Sequence, residues 1–207
     1  MPENTIPVLH PSYHLSVLCA YFAAKAASGY EAVQAVESIK SIGKADQKAE
    51  QTVYASGITY NYTSRKTGTQ LTLGVVALPT EMVRQISGKQ VSTKGGFAFV
   101  TSADDGGEFA YGQAYENSDN TQCFEWFPRC KLVTADQTKN TSTAQAEDPS
   151  ESYVILAMPT ADKLISVEYD QRTVTEGMTP LTAEQFFAHV IASKDDPTID
   201  SEEAAGA

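Results

Sequence analysis

Apolar and polar positions along the chain fall mostly into short runs that alternate or are continuously aliphatic, with few helical stripes, which is the signature of strands. In Ile58-Thr59-Tyr60-Asn61-Tyr62-Thr63, residues 58, 60 and 62 point one way and the threonines and asparagine the other. Thr69 to Leu73 is expected to pair with it across Arg65-Lys66-Thr67-Gly68, a stretch of hairpin length with a glycine. Leu71 to Leu78 reads as a strand cut off at Pro79, followed by a short helix in which Met82, Val83 and Ile86 share a face and Gly88 supplies the left-handed stop. Pro79 and Thr80 open that helix, the proline because it lacks only an unneeded N–H, the threonine as a side-chain acceptor. Further strands are expected at Phe97 to Thr101, Phe109 to Glu116 and Thr121 to Phe127, with Gly95-Gly96, Asp105-Gly106-Gly107 and Asn117 to Asn120 as turns. The last of these continues from Pro128 to Val133.

Tyr153 to Met158 is a near-continuous apolar run, hence a strand covered on both faces, and Leu164 to Asp170 is expected to return beside it after Pro159 to Asp162. Thr182 and Gln185 form a capping box, and Phe186, Phe187, Val190 and Ile191 line one side of a helix predicted over 183–194. Between His14 and Gly29 the alanines favour helix while Tyr13 to Leu18 favours strand. The polar stretches divide the chain into an extended N-terminal arm over 1–12 with three prolines, a β domain over 13–194 with long loops at about 41–51 and 134–150, and an acidic disordered tail over 195–207. Lys40, Lys44 and Lys48 recur every four residues, but Gly43 interrupts and no apolar face opposes them, so a polar loop is the better reading than a helix. The fold class is therefore mainly β: an antiparallel β-sandwich or barrel of about eight or nine strands, with one mid-chain helix and one C-terminal helix.

Leu73-Gly74 leading to Ala77-Leu78-Pro79, then Met82-Val83 and Ile86-Ser87-Gly88-Lys89, then Ala110-Tyr111-Gly112 before a polar turn and Cys123-Phe124-Glu125-Trp126-Phe127, resembles the major tail (tail tube) proteins of long-tailed, non-contractile bacteriophages. The resemblance extends weakly from about Val17 to Tyr169, and it favours a strand over His14 to Gly29. It implies a structural virion protein that closes six-membered rings and stacks them into a tube for DNA ejection. The implied partners are further copies of the chain and the tape measure, distal tail and tail terminator proteins. The tube would be assembled in the host bacterial cytoplasm and would carry double-stranded DNA in transit without specific binding. In that family a long loop reaches toward an adjacent ring at the place where Lys40, Lys44 and Lys48 stand, although a plain solvated loop also accommodates them. The Ile58, Tyr60 and Tyr62 stripe is core, subunit interface or sugar platform. These six residues are the candidate interface set.

Charge narrows the classes. Fifteen basic against 26 acidic residues give −11, which argues against a protein that grips phosphates, and an acidic lumen would repel DNA rather than hold it. Cys19, Cys123 and Cys130 follow no paired spacing, so a reducing setting is expected, and no apolar run approaches the ~18 residues of a membrane span. No secretory leader is expected from the polar, proline-rich start. No nucleophile elbow, phosphate loop, dinucleotide fingerprint or zinc-protease motif occurs, so no enzyme activity, cofactor or metal is expected. His10 and His14 have a metal-like spacing only if helical, which Pro11 prevents, and Asp104 to Glu108 lacks the alternating ligands of a calcium loop. The alternatives are a β-sandwich carbohydrate-binding or adhesion module stacking sugars on Tyr60, Tyr62, Tyr111, Trp126 or Phe127, and an inner tube protein of a contractile or phage-derived particle.

Overall fold

The computed structural model describes residues 13–55, 58–91, 96–99, 106–137, 150–175 and 177–200. The strands are β1 (His14–Ala24), β2 (Gln34–Val36), β3 (Ile39–Ala55), β4 (Ile58–Val75), β5 (Gln90–Val91), β6 (Ala98–Phe99), β7 (Glu108–Asn117), β8 (Gln122–Gln137), β9 (Glu151–Ala157) and β10 (Val167–Asp170). Helical turns occur at α1 (Thr80–Ile86), α2 (Ala183–Phe186) and α3 (Pro197–Asp200). An eight-stranded antiparallel sheet runs in the order β2-β1-β7-β8-β9-β4-β3, with β10 also on β8, while β5 and β6 pair separately.

The two ends of that sheet belong to one piece of backbone. β2 pairs with β1 at Ala20–Phe22, and after Glu37 and Ser38 the chain becomes β3 and pairs with β4. Ser38 fixes the junction: its carbonyl accepts from Val76 N (2.9 Å) and its hydroxyl donates to Ala77 O (2.7 Å). The sheet thus curls around Phe22, Leu71, Leu73, Phe109, Tyr111, Phe127, Tyr153 and Ile155, and α1 closes the core with Met82, Val83 and Ile86. Alternation places the other face of β7 and β8 outside, where Ala110, Ala114, Phe124 and Trp126 are covered by Phe186, Phe187, Val190 and Ile191. The indole N–H of Trp126 donates to Phe186 O at 3.3 Å, and the Phe187 ring stacks on Tyr21 with centroids 3.7 Å apart.

β8 is a single strand through Pro128. Register slips between Phe109↔Cys130 and Tyr111↔Phe127, so Pro128 sits in a bulge where its missing N–H disrupts no ladder bond. At that bulge β8 also changes neighbour, from β10 over Cys123–Trp126 to β9 over Cys130–Gln137. Cys123 and Cys130 therefore lie along one strand, and all three cysteines are free and buried.

Several expectations need correction. Residues 41–51 are not a loop but part of β3, and 65–68 are not a turn but the interior of β4; the chain reverses between Ala55 and Ile58. Polar residues can sustain these strands because the hydrogen bonds between β3 and β4 are made by backbone groups whatever the side chains are. β10 pairs with β8, not with the preceding β9. The C-terminal helix stops at Phe186 although the Thr182–Gln185 capping box forms, since Phe186 and Phe187 both turn into the aromatic cluster. α1 has Pro79 as its N-cap with no side-chain cap bond, and Gly88 does adopt positive φ (66°) at its end. Residues 134–137 extend β8, and Pro197–Asp200 forms a helical turn; 1–12, 138–149 and 201–207 lie outside the described residues.

Gly112 has room for no side chain: a Cβ would lie 2.7 Å from the Phe187 ring and 3.0 Å from Trp126. Gly112→Ala is expected to lower stability by about 1–3 kcal/mol through overpacking. Urea unfolding should show a lower midpoint with an unchanged slope.

Candidate assembly interface

β9 covers β4 only over Thr69–Val75. Beyond that point, among the described strands, β3 and β4 pair only with each other, Gln47 opposite Gly68 and onward to Ala55 opposite Ile58. The pair forms a free-standing hairpin arm about 30 Å long at roughly 3.3 Å per residue. Most of its described side chains are exposed, including Val53, Tyr54, Ile58, Tyr62 and Tyr60, the last at 76%. An isolated two-stranded hairpin is marginal in water, and aromatic residues at its tip gain stability only when something covers them. The Tyr62 hydroxyl is hydrogen-bonded to Glu50 across the arm, which raises its pKa above the ordinary value.

The base of the arm is anchored by charge. Lys44 shares its register position with buried Leu71, so its side chain runs inward, and its ammonium donates to Glu125 Oε1 at 2.5 Å. Glu125 on β8 is 3% exposed, and its second oxygen accepts from Gln113 Nε2 at 2.9 Å. The same ammonium lies 5.3 Å from the Phe127 ring centroid. Two positions along β3, Asp46 accepts from Lys66 (2.6 Å) and from the Thr69 hydroxyl (3.1 Å), and Lys66 holds its carboxyl below the usual range. The Lys44–Glu125 pair faces a cleft of about 360 Å³ between β1 and β3, where β1 from His14 to Cys19 lacks a described partner on that side. Tyr115 and Cys123 also line it. Burial, reinforced by Glu168, pushes the Cys123 thiol up to about 12, and burial raises Tyr115, so both stay protonated at neutral pH.

The six candidate residues thus separate. Ile58, Tyr60 and Tyr62 stand exposed on the arm, and so does Lys48, directly opposite Lys66. Lys40 is the extra residue of a bulge between Ile39 and Ser41, at the root of β3. Lys44, 37% exposed, is engaged by Glu125 in its own chain. Glu125 and Gln113 were not singled out in the sequence; the only signal was a lone carboxylate between Cys123 and Phe127 on a buried face. Of the stacking platforms a sugar-binding module would use, Tyr111, Trp126 and Phe127 are fully buried, leaving Tyr60 and Tyr62. His14 Nδ1 donates to Asn117 Oδ1 at 2.9 Å and the ring stacks on Tyr115, His189 bonds to Asp196 at 3.1 Å, and no metal-holding cluster occurs among the described residues. No described helix is long and apolar enough to cross a membrane.

No protein-family model and no curated protein matches the chain. Among solved structures it is similar to Hcp1 from Flavobacterium johnsoniae, at 13% identity and TM-score 0.38 over 74% of this chain and 99% of that one. It is similar to a chain of the anti-feeding prophage baseplate (9% identity, TM-score 0.40, 80% and 97% covered). A third likeness is to a chain of the sheath-tube complex of PVC, an extracellular contractile injection system (11%, 0.39, 82% and 94%).

Lys44→Met leaves the Glu125 carboxylate buried without its cation and is expected to cost about 1–3 kcal/mol. Lys44→Met with Glu125→Gln, which keeps a partner for Gln113, should recover most of that loss in thermal or urea unfolding.

Proposed function

We propose that this chain is a structural, non-enzymatic subunit that self-assembles, and that its assembly is a tube of stacked six-membered rings such as a phage tail. The observation that carries the reading is the β3–β4 arm: a hairpin reaching past the body, apolar at its tip, with no described strand on either outer edge. Natural monomers blunt such edges; an oligomer uses them, joining sheets between copies. The start of β1 offers a second, separate exposed patch in Tyr13, Leu15 and Leu18, so the surfaces available are not one self-complementary face, as head-to-tail closure into rings requires. An inner tube within a contractile sheath or a phage-derived particle uses the same geometry.

The net charge of −11 fits a conduit that lets DNA slide: a lumen lined by carboxylates repels phosphate within about a Debye length, roughly 8 Å at physiological salt. In this reading the tape measure, distal tail and terminator proteins cap and gauge the tube, and the product is the virion tail assembled in the bacterial cytoplasm.

Concentrated full-length protein should form rings or tubes by negative-stain microscopy and sediment as oligomers. Tyr60→Ala with Tyr62→Ala should raise the concentration needed for assembly by at least about tenfold while leaving the fold intact, since both side chains are exposed in the single chain. A monomer at every concentration, with or without nucleating tail-tip proteins, would refute the reading.

A further inference from the structure

The outer face carries a hollow that no described residue of the chain fills. A cavity of about 520 Å³ lies where the segment after β10 folds back, bounded by Val167 and Tyr169 of β10, by Met178, and by Phe186 and Ile191 of the covering layer. No arm residue lines it. Met178 stands half exposed beside it. β10 is hydrogen-bonded to β8 on one edge and to no described strand on the other. An unpaired strand edge alongside an apolar hollow is the arrangement that receives an added strand, whose backbone pairs with the edge while alternate side chains enter the pocket.

The chain itself contains a segment of that pattern. In Ile58–Tyr62 the apolar residues alternate, all are exposed, and the strand's outer edge is free because β9 pairs only from Thr69 onward. Charge agrees in sign. Residues 39–75 hold five basic residues (Lys40, Lys44, Lys48, Arg65, Lys66) against two acidic (Asp46, Glu50), a local +3 in a chain of −11. The described residues from Leu164 to Asp200 hold six acidic residues (Glu168, Asp170, Glu184, Asp195, Asp196, Asp200) against two basic (Arg172, Lys194), a local −4. The arm is therefore attracted to the region that holds the cavity, over distances set by screening.

We infer that Ile58–Tyr62 of one copy adds to the free edge of β10 in a second copy and seats Tyr60 in the cavity against Met178, Phe186 and Ile191. The inference rests on the self-assembly reading and names the surface that receives the arm. Donor and receptor are different surfaces, so each copy gives one arm and accepts another, and the contact propagates instead of stopping at a dimer.

Two experiments on the full chain test it. Met178→Lys puts a cation at the receptor without disturbing a buried position, and should raise the assembly concentration at least tenfold. Mixed with Tyr60→Ala/Tyr62→Ala, it should give dimers, because each variant contributes one intact half. Oxidising a mixture of Tyr60→Cys and Met178→Cys should give a disulfide-linked pair, whereas Tyr60→Cys with Val133→Cys, exposed on β8 outside the cavity, should give none; the native cysteines are buried. Normal assembly of Met178→Lys, or linkage to Val133→Cys as readily as to Met178→Cys, overturns the inference and leaves self-assembly standing. A wild-type chain that never assembles removes both.

Discussion

One run of backbone, Gln34–Ala55, hydrogen-bonds to β1 at its start and to β4 for the rest of its length, and this double duty lets a single antiparallel sheet enclose Tyr111, Tyr153 and Phe127 without a second sheet. Closure sets the side-chain requirements of every strand it recruits. Inward positions must be large and apolar, as in Leu71, Leu73 and Ile155, and the outward positions of β7 must be small, because Ala110, Gly112 and Ala114 face a layer of aromatic rings. The Pro128 bulge belongs to the same constraint. A strand that must serve β10 and then β9 needs a place to change course, and a residue without an amide hydrogen is tolerated there.

The sequence was legible wherever burial imposed a period. Tyr153–Met158 and Phe109–Glu116 were readable as strands because core packing selects their residues, and the mid-chain helix because Met82, Val83 and Ile86 repeat on one face. The same logic failed for 41–51. That stretch is strand by virtue of its ladder with 63–74, and since no described residue packs on either side of its outer part, no hydrophobic period is written into it. The final helix misled in the opposite sense: its cap is genuine, but the apolar residues after it follow the contour of an aromatic cluster instead of a helical face.

The candidate site was half readable. The tyrosines on the arm announced themselves by alternation, although alternation alone cannot say whether the stripe is covered. The four-residue spacing of Lys44 with Lys40 and Lys48 plays no part in its placement, since what fixes it is Glu125, 81 positions away along the chain. An ion pair between strands that are remote in sequence has no local signature. It also holds the arm's root rigid while its tip stays uncovered, which separates the part that sets direction from the part free to be covered.

The lone tryptophan of the chain sits under that outer layer, its indole N–H held by the carbonyl of Phe186 and its ring edge-on to Phe187. Its emission is therefore an intrinsic gauge of whether residues 181–192 are seated. Lifting of that flap would redden the spectrum while the enclosed sheet, which buries its own separate set of side chains, still gave a folded circular dichroism signal.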